Sequence, residues 1–426
     1  MTYSFPAAQL ALQAQDQDPY GGLASPKFKS TGWFRLDKTG GRDFLVTPSG
    51  NGYVALGVNH AGALEEGVQR KELPARLRSW NMNNLGYGGP QEHEGSMPYF
   101  AAIATAATEK HRSAPRSGQR DSYMFPDVFD PVWKAELESV IAAACRRHRE
   151  NRNLIGYFWT DTPTWYLAKT RALRATDWVT EIRLPPAGAP GRRRYAEFLA
   201  GRYAGRLEDL NSFYALSISR MSELETTGLT HVAIGRHVVR EDHEIFLAMI
   251  AREYYKTAGN AQRKHDPNHL VFGERFLAGD HPESVLKAAA PYIDAVSVQP
   301  GDRYTELYPP STVFPEDEIN ALHSVTGKPV LICDHAISYP TTEHPKTIFE
   351  QAGSEREAAR LTQAFLQQAM AKPYILGYLR CQYIDRPASF GRGLRQGLVN
   401  ADGAPRELLV EAYSKAFAEW LRLARR

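Results

Sequence analysis

Ile155-Gly156-Tyr157-Phe158-Trp159-Thr160-Asp161-Thr162-Pro163-Thr164-Trp165 is an apolar, aromatic run that ends abruptly in an acid flanked by hydroxyls and tryptophan. Such a run reads as a strand buried on both faces, and strands of that kind belong to parallel sheets covered by helices. Pro329-Val330-Leu331-Ile332-Cys333-Asp334-His335 has the same grammar and also closes on an acid. Two buried strands delivering carboxylates to one rim point to the paired-acid chemistry of glycoside cleavage.

Outward from these runs, Tyr53-Val54-Ala55-Leu56-Gly57-Val58 reads as the first buried strand. The stretch 80–85 is the candidate for the second strand, and further candidates lie at 101–103, 154–159, 270–274, 295–298, 330–333 and 375–379. Helix candidates at 130–151, 194–210, 242–264, 282–290, 354–370 and 407–425 alternate with them. Asp130-Pro131 has the form of an N-cap followed by proline in the first turn, and Asp266-Pro267-Asn268 stops a helix. Seven or eight such units exceed what a doubly wound sheet usually needs. The expected architecture is therefore an α/β fold of the (β/α)8 TIM-barrel type. Lys38-Thr39-Gly40-Gly41 between two apolar runs signals a short N-terminal β-hairpin. Residues 1–31 read as an arm and 32–426 as the barrel, with the Arg- and Pro-rich stretch 170–193 as a rim insertion after the fourth strand.

Composition sets outer limits. The chain has 426 residues and 43% apolar content, enough for a large core. Its net charge of +3 gives no general pull toward nucleic acid or an anionic membrane. No apolar run approaches the ~20 residues needed to span a bilayer. Residues 1–20 lack a basic segment followed by an apolar one, so a cytoplasmic location is the default expectation. Cys145, Cys333 and Cys381 are odd in number and widely spaced, which fits neither a disulfide framework nor a zinc cluster. No metal or organic cofactor is implied, and the sequence is compatible with a homo-oligomer.

In a barrel the C-terminal strand ends converge on one cleft. Read in order, those ends supply Asn59 and His60, then Tyr87 and His93, then Trp159 and Asp161. Glu274 and Arg275, Gln299 and Tyr304, Asp334 and His335, and finally Gln382 and Asp385 complete the ring. A polar, aromatic and acidic ring suits an oligosaccharide or glycoside, whose C–H faces stack on aromatic rings while its hydroxyls need acceptors. Asn59, His60, Gln299, Tyr304, Gln382 and Asp385 are expected to bind hydroxyls, and Trp159 and Trp165 to stack on the sugar. Arg275 and His335 are expected to line the same substrate. The basic groups Arg171, Arg174, Arg183 and Arg192 to Arg194 either favour an acidic saccharide or form a solvated surface.

The pattern resembles the agarase-like and β-galactosidase-like barrels of the retaining glycoside hydrolase clan. The resemblance is carried by Leu56-Gly57-Val58-Asn59-His60, Ile155-Gly156-Tyr157-Phe158 and Asp266-Pro267-Asn268-His269-Leu270. Gly327-Lys328-Pro329-Val330-Leu331-Ile332, Gln382-Tyr383 and Asp385-Arg386-Pro387 extend it over most of the chain from Gly32 onward. It implies a barrel whose fourth strand ends in an Asn-Glu pair, the Glu acting as acid/base, and whose seventh strand carries a Glu nucleophile. This chain departs from both. Asp161 takes the Asn place and Thr162 the Glu place, and Asp334 stands at the nucleophile position. Threonine cannot protonate a leaving group at neutral pH. Aspartate retracts the carboxylate by roughly 1–1.5 Å, and a displacement of that size at a reacting centre costs about a hundredfold in rate.

Three readings follow. A glycoside hydrolase with rearranged roles would use Asp334 as nucleophile or base, with Asp161 and Glu274 competing to be the acid. Carboxyls stand about 5–5.5 Å apart in retaining enzymes and about 6.5–9.5 Å in inverting ones, and shorter acids on opposite walls favour the wider gap. The second reading is a carbohydrate-binding barrel without turnover. The third is a lyase acting on a uronic-acid-containing saccharide, with His60 or Tyr304 as base and Arg275 or Arg380 holding the carboxylate.

Overall fold

The computed structural model describes residues 17–64, 67–105, 125–159, 165–174, 176–229, 235–279, 281–301, 310–349, 351–387 and 393–425. β1 (Arg35–Thr39) and β2 (Arg42–Val46) form the expected hairpin. Its turn residues Gly40 and Gly41 have φ of 56° and 76°, which residues with a Cβ adopt at a cost. β3 (Gly52–Tyr53) adds a third antiparallel strand. Part of the arm runs beside it, with Leu23 N donating to Gly52 O and Phe28 N to Gly50 O.

The parallel strands are β4 (Ala55–Val58), β5 (Tyr99–Ala102), β6 (Leu154–Phe158), β7 (Leu270–Gly273), β8 (Arg275–Leu277), β9 (Val296–Gln299), β10 (Val330–His335) and β11 (Ile375–Arg380). They pair as β5-β6-β7 and β4-β11-β10-β9-β8. β7 and β8 are one run broken at Glu274, after Gly273 at φ 67°. The second expected strand is a short bridge. Gly57 pairs with Asn84 in parallel, Leu85 N donates to Pro98 O, and Phe100 N donates to Gly86 O. These contacts link β4 to β5, so the pairings form the pattern of a TIM-like barrel. Within β10, Leu331 and Cys333 belong to one apolar cluster with Phe100, Phe158 and Leu379. Val330 and Ile332 belong to the larger cluster with the helices.

Strand ends differ from the expected ones by one or two residues, but helix boundaries moved more. The helix expected at 194–210 is two helices, Pro190–Arg202 and Leu207–Tyr214, separated at Gly205 with φ 72°. The helix expected at 242–264 runs as His237–His265. Glu316–Thr326 was not anticipated; Gly327 ends it in the left-handed conformation. Asp130 caps Pro131–His148 as expected, its Oδ1 accepting from Val132 N at 2.8 Å.

The stretch 170–193 carries parts of three helices, Leu167–Arg174, Trp178–Arg183 and Pro190–Arg202. Trp178–Arg183 starts at Asp177, whose carboxylate accepts from Thr180 N at 2.9 Å. The basic groups there are mostly spoken for. Arg183 and Arg192 are buried and bond to backbone carbonyls, including Arg192 Nη1 to Arg183 O at 2.6 Å. Arg171 pairs with Asp177, Arg193 with Glu225 and Arg194 with Glu197. The side chain of Arg174 lies outside the described residues. Among the described residues no helix is long and apolar enough to cross a membrane.

Candidate active site

β10 ends by turning Asp334 into the barrel mouth with φ 51°, a left-handed backbone uncommon for a residue with a Cβ. Its Oδ1 accepts from Asn59 Nδ2 and from the Tyr87 hydroxyl, each at 2.7 Å. Its Oδ2 lies 3.0 Å from Arg275 Nε. The Arg275 guanidinium also sits 4.4 Å from the centroid of the Tyr87 ring. Two donors and one guanidinium thus surround the carboxylate. Asn59 is fixed in turn, its Oδ1 accepting from Tyr87 N at 3.2 Å.

His60 follows with φ 60°, its Nε2 3.1 Å from the Tyr87 hydroxyl. Burial pushes its pKa below the ordinary imidazole range; Asp334 pulls the other way, while Arg386, Arg275 and Arg395 reinforce the drop. Donor atoms of His60, Asp334 and Cys381 lie within 4.8 Å of one another, the trio best placed among the described residues to hold a metal ion. Arg275 already neutralises Asp334, which leaves the trio little electrostatic pull on a cation.

The cleft above these groups has a volume of about 180 Å³. Of the residues expected from sequence, His60, Gln299, Asp334 and Gln382 line it, and Asn59 and Arg275 hold Asp334 from below. Gln382 is partly committed: its Nε2 donates to Ile384 O at 2.6 Å, and its Oε1 accepts from Arg386 at 3.0 Å.

Other expected residues are elsewhere. Glu274 and Arg275 are neighbours on one broken strand and face opposite ways. Glu274 is fully buried toward the helices, accepting from Trp165 Nε1 at 2.9 Å and the Tyr255 hydroxyl at 2.7 Å. Burial pushes its pKa up to about 7. Trp159 and Trp165 are also fully buried. Trp159 stacks on Tyr255 at 6.3 Å, and Trp165 lies against Trp178 at 4.7 Å and 6°. These rings join barrel to helices and present no face to the cleft. His335 turns outward as well, stacked on Phe365 at 4.0 Å and bonded to the Tyr378 hydroxyl and Ser311 O. Asp385 braces the loop after β11 through Gly397 N and Arg406. Arg380 is fully buried and donates to Gln382 O and Gln396 O, so it cannot hold a substrate carboxylate. Asp161 and Tyr304 lie outside the described residues.

Several lining residues had no sequence signal. Ser338, Phe349, Gln351 and Gln396 come from irregular segments after β10 and β11. Gln351 Oε1 accepts from Ser338 N, and Gln396 Oε1 from Tyr339 N, both at 3.0 Å. Their position after the seventh and eighth strands was the only pointer. A small ribbon, β12 (Arg386–Pro387) paired with β13 (Leu394–Arg395), brings Arg395 to the same cleft.

Known proteins resemble this chain over most of its length. No family model matches the chain. It is 22% identical to β-agarase B of Vibrio sp. (strain JT0107), over 96% of this chain and 51% of that protein. β-Agarase A of the same strain matches at 22% over 82% of this chain and 35% of its own length. The chain thus spans about half or less of the curated relatives it matches. An exo-β-agarase structure superposes with a TM-score of 0.81 at 20% identity, covering 98% of this chain and 70% of the other. A β-galactosidase from the psychrophilic Marinomonas ef1 gives 0.60 at 12% identity, covering 86% and 62%. The fold is agarase-like, with a weaker likeness to that of β-galactosidases.

Proposed function

We propose that the chain hydrolyses O-glycosidic bonds of a galactan oligosaccharide, with Asp334 as nucleophile or general base and Asp161 as the acid. The observation that carries this reading is the cradle of Asn59, Tyr87 and Arg275 around Asp334 at the base of an open cleft. The β-agarase relatives supply the substrate class. Glu274 is withdrawn into the helix layer by Trp165 and Tyr255, which leaves Asp161 as the remaining candidate acid. The short side chain of Asp334 leaves room for a water, and this favours inversion at the anomeric carbon.

The Arg275 ion pair favours a second reading, in which the cleft binds the sugar without cleaving it. Asp334→Asn and Asp161→Asn, assayed by release of reducing ends from agarose-derived oligosaccharides, separate the two. Loss in both variants with the fold retained supports hydrolysis, and the product anomer, read by NMR, reports the stereochemistry. Unchanged turnover in both variants rejects the assigned roles. Sugar affinity in the wild type with no turnover on any oligosaccharide establishes the second reading.

A further inference from the structure

We propose that Arg386 and Arg395 form an anion-binding subsite at the mouth of the cleft, so that the preferred saccharide carries a sulfate ester or a carboxylate. This rests on the glycan-cleft reading given above. Arg386 pairs directly with Arg395 across the antiparallel β12–β13 ribbon. Directly opposed residues share one face, with Cβ atoms about 4.5–5.5 Å apart, and like charges there destabilise the ribbon. Arg395 is exposed and lines the cleft. Arg386 donates to Gln382 Oε1 at 3.0 Å, a neutral group that lines the same cleft.

Among the described residues neither guanidinium meets a carboxylate. Asp385, next in sequence, is taken by Arg406 and Gly397 N. Asp334, the acid of the cleft lining, is paired with Arg275. Among the described residues, therefore, Arg395 faces the cleft with no carboxylate partner, and Arg386 stands opposite it on the ribbon. The contrast with the 170–193 segment is direct, since the described guanidiniums of that segment bond to carbonyls or carboxylates. The fields of Arg386 and Arg395 reach as far as His60, which they help to keep neutral. A neutral galactan would leave the two guanidiniums repelling each other. An anionic oxygen group between them would relieve that repulsion and accept charge-assisted hydrogen bonds from planar forks that match its geometry.

The test is calorimetric binding to the full chain. Three oligosaccharides of equal length are compared: a neutral agarose-derived one, its sulfated counterpart and a uronate-containing counterpart. Binding is read without turnover, so the hydrolytic assignment can fail on its own. The expected result is at least about tenfold tighter binding of an anionic ligand at low salt, shrinking as salt rises. Arg395→Gln should remove most of that preference and Arg395→Lys should keep part of it. Preference for one anionic ligand alone identifies sulfate or carboxylate as its source. Equal affinity for neutral and charged ligands, or a preference untouched by Arg395→Gln, overturns the subsite. Failure to bind all three removes the subsite and the glycan cleft together, whereas anionic preference without turnover removes hydrolysis alone.

Discussion

Arg275 Nε stands 3.0 Å from Asp334 Oδ2, and the two side chains are 7% and 8% exposed. The pair joins β8 to β10 across the intervening β9. Removing one partner of a buried pair strands the other charge and costs roughly 3–5 kcal/mol. Arg275→Met is therefore expected to lower stability by that order in urea titration. The double variant Arg275→Met/Asp334→Leu should recover much of the loss, because no charge then remains buried. A single-variant loss below about 1 kcal/mol would mean that water already screens the pair.

Asp334→Asn is expected to cut turnover on the order of a thousandfold, the scale of a lost acid–base or nucleophilic group. Stability should fall too, toward the roughly 3–5 kcal/mol of a broken buried pair, because Arg275 keeps its charge while residue 334 loses its own. The backbone and the two hydrogen bonds are spared. Asparagine tolerates the left-handed backbone at this position, and its amide still accepts from Asn59 and Tyr87. Steady-state kinetics and thermal melts on the same preparation check both halves.

Glu274 makes stability fall as pH rises. Its pKa is near 4.5 in the unfolded chain and about 7 in the folded protein. Between those values the folded state holds a proton that the unfolded state has released. Stability is therefore lost progressively across this window and levels off above about pH 7, for a total of about 3 kcal/mol. Glu274→Gln should remove this contribution. Denaturant titrations at pH 5 and pH 8 should find the variant similar to wild type at the lower pH and more stable at the higher. A variant whose stability relative to wild type is the same at both pH values would contradict the burial of this carboxyl.

Trp165→Ala should destabilise by roughly 3–5 kcal/mol, the range for emptying a buried aromatic site. It removes the Trp178 stack and leaves Glu274 short of a donor. The folded fraction should keep an unchanged KM, since the ring does not reach the cleft. A raised KM with an unchanged melting temperature would instead make Trp165 part of a sugar subsite.

The parallel strands were legible because burial on both faces leaves uninterrupted apolar runs such as Ile155 to Trp159. The second stave was harder to read because side chains do the work of a ladder. Asn83 Oδ1 accepts from Leu56 N and its Nδ2 donates to Val54 O, so an asparagine-rich stretch holds a strand position. In the 170–193 segment the arginines read as either an acidic-saccharide site or a solvated surface, yet Arg183 and Arg192 are interior groups satisfied by carbonyls.

At the site the sequence reading placed both members of two neighbouring pairs at the cleft. Glu274 and Arg275 are adjacent, as are Asp334 and His335. In each pair one side chain serves the cleft and the other the helix layer. That choice depends on backbone irregularities, Gly273 at φ 67° and Asp334 at φ 51°, which break the simple alternation of a strand. The arginines of β12 and β13 went unread because two-residue strands leave no periodic trace.

The left-handed backbones of His60 and Asp334 have an evolutionary consequence. Each costs roughly 1 kcal/mol that glycine would not incur. A random library screened only for heat tolerance would therefore enrich glycine at position 60, whereas at 334 the stranded charge of Arg275 outweighs the backbone gain. It would strip an imidazole from the cleft lining while improving the scaffold, unless ligand is present during selection.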